Sequence, residues 1–463
     1  MNPAAASGEI RPAAWSSLKQ PESAAYLVAA TLILVQLILN RPFWEDEASL
    51  ALAISTHGLP DLLRPLDFNQ VAPVGFAFLE KISTLIFGDR DWAYRIIPAL
   101  ASAILLYQIR RLPIGQSKRV FFLLLLFLNP LFLRYTVEAK PYIIDALLST
   151  VLLRLLLEKR YSEMPLVLAV AVWFSSVAFV AVVPVSLVLF THRRGSAIRW
   201  SRVAICAASL GFYYVAFVRT NTNRPYMISY WNFAGGLYVP GQNYFAFLWK
   251  SFVIAAESVR PLYDLCYAVG FAWVCTAAVI ALLALSLRTE TGRFVGVFLA
   301  THIALGSLQL YPVDERLMLD IVPLICALVV FLNLNLVTRC VLLALSLLSA
   351  MRKPLYPFVT DDTRSYMAEI SAAGYRGVFT VGGTTAIAQY YARSFRYPLK
   401  ITQIRSAAEV SDPGLPLLIV NYRYNDFDQK FLERYQRRDS IRTIFGTSQQ
   451  SRSGLFIPPH ATQ

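Results

Sequence analysis

Ala24-Ala25-Tyr26-Leu27-Val28-Ala29-Ala30-Thr31-Leu32-Ile33-Leu34-Val35-Gln36-Leu37-Ile38-Leu39 is followed, a few residues on, by Phe43-Trp44-Glu45-Asp46-Glu47-Ala48-Ser49-Leu50. The first run is apolar enough to cross a bilayer, and its length approaches the roughly 20 residues a spanning helix needs. The second places three carboxylates just past the hydrocarbon, at the depth of lipid headgroups, where they stay hydrated. A substrate whose tail never leaves the bilayer can bring its polar end to that level. The apolar run is too long for a signal-peptide core, and Leu39-Asn40-Arg41-Pro42 offers no small-residue cleavage site, so a retained helix is expected.

Outward from this stretch, the rest of the chain has the same character. Of its 463 residues 56% are apolar, and the mean hydropathy is +0.49, which predicts a polytopic membrane protein. The formal charge of +14 does not read as a nucleic-acid footprint, because the basic residues gather at alternate helix ends. Arg110, Arg111, Lys118 and Arg119 form one group; Lys159 and Arg160, Arg193 to Arg202, and Arg288 with Arg293 form others. This is the positive-inside pattern and labels those loops cytoplasmic. Glu45, Asp46, Glu47, Asp61, Asp67, Glu138, Asp314 and Glu315 fall on the opposite side. The five cysteines lie in apolar stretches, as packing residues do, and the four histidines are scattered without ligand spacing.

Threading hydropathy through these charge clusters predicts about eleven crossings. Residues 41–91 form a first outer segment with an amphipathic helix near 45–56, stopped by His57-Gly58-Leu59-Pro60, and a second helix near 73–87 lying in the interface. The run 164–191 has basic residues at both ends and is read as a hairpin turning at Trp173-Phe174-Ser175-Ser176. Arg219 to Gln242 is expected to be a polar, aromatic outer loop. Composition changes after Met351. A transmembrane domain, residues 1–351, is therefore expected to precede a small soluble α/β domain, residues 352–463, on the outer side. The latter has strands at 377–381, 415–421 and 441–445 and helices near 362–373, 384–395 and 426–436. Gly382-Gly383 between strand and helix is too short for a phosphate-loop fingerprint and reads as a tight turn.

Taken in order, the acidic run, Leu66-Asp67-Phe68-Asn69-Gln70-Val71-Ala72-Pro73, the helix closed by Phe87-Gly88-Asp89, and Trp92-Ala93-Tyr94-Arg95 resemble the first outer segment of the GT-C superfamily of membrane glycosyltransferases. Protein O-mannosyltransferases and the aminoarabinose and galacturonic acid transferases of lipopolysaccharide belong to that superfamily. Asn129-Pro130 and Arg134-Tyr135-Thr136-Val137-Glu138-Ala139-Lys140-Pro141-Tyr142 resemble its second outer loop, and Tyr311 to Pro323 its late outer loop. The resemblance implies a GT-C-like helical domain in a bacterial inner membrane, with the active site facing the periplasm. It implies Asp46 as general base, with Glu47 and Glu138 orienting the acceptor or holding charge. Lys140, Arg316, Arg64 and Tyr142 are the candidates for binding the lipid phosphate. Aminoarabinose transferases carry Glu-Lys-Pro where this chain has Gln70-Val71-Ala72-Pro73, so another cation must serve in place of that lysine.

The implied donor is a sugar on a polyprenyl phosphate, and the implied acceptor is a hydroxyl of a glycan, lipid or protein. No metal ligand set is assigned; a divalent cation stays open because some relatives use one. Bland readings stand beside these. Acidic residues favour a helix N-terminus, aromatics and cations gather at interfaces, and Arg316 with Asp320 is spaced as an ion pair on one helix face. A transporter or flippase would place polar groups at midplane in repeated halves, and no such repeat is present. A polysaccharide ligase or polymerase, the nearer alternative, shares the lipid-linked donor.

Overall fold

The computed structural model describes residues 21–192, 199–352 and 360–419, residue 433, and the segments 435–438, 441–443, 446–448 and 454–458. Most of the described chain is helical. The first helix, α1 (Pro21–Leu39), and the run Trp200–Val218 are long and apolar enough to cross a membrane; Tyr161–Ala171, Val177–His192, Ala272–Ser286, Ile321–Phe331 and Leu336–Leu348 are shorter apolar helices. Helices are shorter than the apolar runs where polar caps interrupt them. Asn129 accepts from the backbone N–H groups of Leu131 and Phe132 and donates to Ser258 O at 2.9 Å. That cap splits one expected span into α5 (Gln116–Phe127) and α6 (Pro130–Tyr135). Gly270, at φ +79, divides another into α13 (Arg260–Ala268) and α14 (Ala272–Ser286).

Several expected elements take the predicted bounds because local signals are strong. Helix α2 spans Glu45–Thr56, with three acids in its first turn where the dipole favours them. Helix α3 (Val74–Phe87) starts after Pro73 and stops at Gly88, whose φ of +86 suits glycine. Ile82, Leu85 and Ile86 form an exposed apolar stripe along α3. Behind that stripe Glu80 is fully buried with neither carboxylate oxygen bonded, and burial pushes its pKa far up. Helix α4 (Ile96–Arg110) packs on α7 (Tyr142–Leu157). The hairpin forms as expected: α8 (Met164–Ala171) and α9 (Val177–His192) flank a turn whose Trp173 carbonyl accepts from the N–H of Gly75 at 2.7 Å. Helix α10 (Trp200–Tyr213) runs into a π turn. The expected loop Arg219–Gln242 instead contains a helix, α11 (Arg224–Phe233), with Pro225 in its first turn. The remaining helices of the bundle are α12 (Tyr244–Ala256), α15 (Glu290–Ser307), α16 (Ile321–Phe331) and α17 (Leu336–Arg352).

The C-terminal part holds α18 (Thr363–Ala372), β2 (Gly377–Val381), α19 (Thr384–Ser394), β3 (Lys400–Ile404) and β4 (Leu417–Ile419). Strand β2 lies parallel to both β3 and β4, and all five of its residues are buried, as fits a central parallel strand. The late strands β5 (Gln436–Arg438) and β8 (Gly454–Ile457) extend the sheet in the order β3-β2-β4-β8-β5. A second small sheet joins β1 (Thr360–Asp361), β6 (Ile441–Thr443) and β7 (Gly446–Ser448). The expected helix near 426–436 lies almost wholly outside the described residues; Gln436, its last position, begins β5.

One hydrophobic core fills the helix bundle. A second is shared between chain ends far apart in sequence: Phe43, Leu50, Ile54, Phe76 and Tyr94 pack with Tyr366, Val378, Ile387, Tyr390 and Tyr391. Asp91 pins this joint, accepting from Tyr390 at 3.2 Å and Tyr391 at 2.9 Å and pairing with Arg364. The C-terminal strands and helices are thereby fastened to the segment that carries the acidic run.

Candidate active site

Asp46 and Glu47 are consecutive on α2, so their side chains leave the helix about 100° apart. That angle decides what each meets. Glu47 points inward and is fully buried. It bonds Arg95 at 3.2 and 3.3 Å, lies 3.6 Å from Arg41 and accepts the Ala139 N–H at 3.0 Å. Burial alone would raise its pKa, but Arg95 and Arg41 outweigh that and hold the carboxyl below its usual value. Glu138 is equally buried and accepts from Arg41 at 3.2 Å and Arg134 at 3.4 Å. Its own pKa goes up, first from burial and then from the neighbouring Glu47 charge. Arg95, itself 0% exposed, also donates to Asn40 at 3.1 Å and stacks over Phe43 at 4.9 Å. Glu47 and Glu138 are thus members of one ion network in which both carboxylates are buried.

Asp46 points the other way, into a cavity of about 1070 Å³. Five of the expected site residues line it: Asp46, Arg64, Lys140, Tyr142 and Arg316. Arg316 bonds Asp46 directly and lies 3.4 Å from Asp314. Its guanidinium sits between the rings of Trp44 and Trp231, 5.3 Å from each. The expected partner Asp320 instead bonds His302 at 2.8 Å, and Arg316 precedes the helix that starts at Ile321. Lys140 donates to Gln70 at 2.6 Å, so it reaches the very stretch that lacks a lysine of its own. Burial lowers its pKa, while Asp46 works against that shift. Arg64 sits at the rim, 81% exposed and 4.0 Å from Asp61. Tyr142 stacks edge-on against Tyr135 at 5.3 Å.

Three contributors escape a reading of the sequence. Helix α11 supplies Arg224, Tyr230 and Trp231 to the wall, and Asn223 ties it to the 66–70 turn by donating to Leu66 O at 2.7 Å and Gln70 O at 3.1 Å. The signal was present: Asn223-Arg224-Pro225 is an Asn followed by Pro in a first turn, which marks a helix start. Asp145 lines the cavity too and accepts from Ser175 of the hairpin tip. The third contributor is the C-terminal part, through Gly382, Gly383, Thr385, Gln389 and Gln403; that juxtaposition is purely tertiary. Beside it, Glu45 is pushed to a higher pKa by burial and by Asp46. Among the described residues no His, Cys, Asp and Glu cluster is arranged to hold a metal ion.

No protein-family model and no curated protein sequence matches the chain. Solved structures do. ArnT from Cupriavidus metallidurans in the apo state has a TM-score of 0.53 at 11% identity, covering 96% of this chain and 97% of its own. The same protein bound to undecaprenyl phosphate gives 0.53 at 12% identity, over 98% of this chain and 100% of that one. From its first helix to its last strands, this chain therefore has the fold of ArnT, the fold expected from the GT-C resemblance.

Proposed function

We propose that the protein transfers a sugar from a polyprenyl-phosphate donor to an acceptor hydroxyl at the outer face of a bacterial inner membrane. The observation that carries this reading is the meeting, in one cavity, of a carboxylate and two cations: Asp46, Arg316 and Lys140. The likeness to a fold that binds undecaprenyl phosphate in ArnT supports the donor class. Residues 1–351 carry the spans and the acidic site; residues 352–463 lie on the outer side and cover it, packed on the segment around Phe43 and Tyr94.

The acceptor oxygen attacks the anomeric carbon while the bond from that carbon to the phosphate oxygen breaks. Asp46 takes the hydroxyl proton as the new bond forms, a role that contributes about 10²–10⁴-fold. The lipid phosphate leaves carrying the electron pair, and Arg316 and Lys140 stabilise the charge growing on its oxygen. A single displacement of this kind inverts the anomeric centre. Arg316 pairs with Asp46 in the structure. An arriving phosphate competes for that guanidinium and releases Asp46 towards the acceptor, so the base becomes free only when a donor is seated. Glu47 and Glu138 hold the Asp46 helix and the Lys140 loop in register from behind. Tyr142 and Arg64 line the approach.

The test is transfer of a labelled sugar from a polyprenyl-phosphate donor by the reconstituted protein. Asp46→Asn should lower turnover by at least about two decades with an unchanged melting temperature. Undiminished turnover removes Asp46 from the chemistry. Vesicle uptake of the same lipid without transfer would favour the flippase reading.

A further inference from the structure

The Gly382-Gly383 turn and its surroundings take no part in the reaction above, yet they face the same cavity. The turn closes β2, and Thr380 and Val381 lie in register with Gln403 and Ile404 of the parallel strand β3. The carboxyl ends of two parallel strands therefore open on the cavity. Open parallel sheets bind ligands outside those ends. Thr385 and Gln389, four residues apart on one face of α19, reach the cavity beside Gly382 of the turn. The opposite face of α19, with Ile387, Tyr390 and Tyr391, is sunk in the shared core.

Charge determines what can sit there. A glycine turn leading into a helix N-terminus ordinarily invites an anion. Here Glu45 already fills that position, since a Cβ built on Gly383 would run into the Glu45 carboxylate, and Asp46 is the next residue. A second anion would be repelled by both. The remaining polar groups are neutral. The amides of Gln389 and Gln403 make no hydrogen bond with another described residue. Each presents two donors and an acceptor, a match for vicinal hydroxyls. The cations of the cavity, Arg64, Lys140, Arg224 and Arg316, come from the helical part, and Arg316 and Lys140 suit the phosphate.

We propose that Gln389 and Gln403, with Gly382 and Thr385 beside them, form a subsite for a hydroxyl-rich glycosyl group that carries no negative charge, the sugar of the lipid-linked donor. The subsite rests on the function proposed above. The C-terminal part thereby reads the sugar while the helical part holds the phosphate.

The experiment uses the full chain in nanodiscs, with binding followed by the fluorescence of Trp44 and Trp231, which line the cavity. The probes are undecaprenyl phosphate alone and undecaprenyl phosphate bearing glucose, mannose or N-acetylglucosamine. The variant is Gln389→Ala with Gln403→Ala, at half-buried and exposed positions. At least one glycosylated lipid should bind wild type more tightly than the bare phosphate. The double variant should lose about tenfold of that affinity and stay within twofold on the bare phosphate. Equal losses on both probes, or no loss on either, overturn the subsite while leaving the donor reading standing. Failure of every lipid to bind wild type overturns the donor reading and the subsite with it.

Discussion

Asp46 and Glu47 share a peptide bond and almost nothing else. Glu47 is 0% exposed and answered by two buried arginines and a backbone N–H; Asp46 is 27% exposed and has Arg316 at the wall of a large cavity. The same residue chemistry, turned by one helix step, gives a carboxylate buried among arginines in one direction and one at a cavity wall in the other. Resemblance alone groups the two as a catalytic pair. Their environments separate them, because only a carboxylate that a substrate can reach can take its proton.

The two carboxylates differ most in what they contribute to stability. Glu47→Ala leaves Arg95 and Arg41 buried without their carboxylate, and removing one partner of a buried pair costs about 3–5 kcal/mol. Asp46→Ala leaves Arg316 with Asp314 at 3.4 Å, beside a large cavity, and should cost less than Glu47→Ala. Thermal melts of the two variants in one detergent measure the gap. Equal melting temperatures would erase the distinction.

A pH series sharpens it. The folded pKa of Glu47 is depressed by Arg95 and Arg41 acting against burial. Its stabilisation is therefore present above the ordinary carboxylate value and lost as pH falls through the lower folded value. Glu138 has the opposite sign: burial and Glu47 raise its pKa, so the folded state binds its proton first and gains stability as pH falls through that range. Melting temperature against pH should drop less steeply in acid for Glu47→Gln than for wild type, and more steeply for Glu138→Gln. Parallel curves for all three would place neither carboxyl in the network described.

A smaller effect is expected at the aromatic clamp. Trp231→Ala removes one of two rings facing Arg316 at 5.3 Å, an interaction of roughly 0.5–2 kcal/mol. Binding of undecaprenyl phosphate should weaken by about threefold to tenfold, without the loss of stability expected at Glu47. Unaltered binding would mean that Arg316 needs no clamp to meet a phosphate.

Much of this architecture is legible in the sequence. The bounds of α2 and α7, the hairpin turn at Trp173–Ser176 and strand β2 follow from caps, glycines and hydrophobic runs. What local pattern cannot carry is which side of a helix faces the cavity. Along Glu45-Asp46-Glu47 every residue is an acid, so periodicity gives no vote. The shared core of Phe43 with Tyr390 and Tyr391, and the reach of Gln389 and Gln403 into the cavity, join residues more than 300 positions apart; no spacing rule connects them. The stretch Gln70–Pro73 is the instructive intermediate. The sequence shows that it holds no cation, and the fold brings Lys140 within 2.6 Å of Gln70.

The least effect belongs to Arg64, and it tests the comparison from its far end. Arg64 lines the cavity as Arg316 does, but it is 81% exposed and its one ion pair among the described residues, to Asp61, is at 4.0 Å. A surface pair of that kind is worth about 0–1 kcal/mol, and a guanidinium in water already has its hydrogen bonds. Its field at the phosphate is screened over a Debye length of roughly 8 Å at physiological salt. Arg64→Ala should therefore change lipid affinity by less than about threefold, and that small change should vanish in high salt, whereas the loss in Arg316→Ala should persist. If the two variants lost affinity alike and with the same salt dependence, position in the cavity rather than burial would set a cation's worth. The contrast between Asp46 and Glu47 would then lose its physical basis as well.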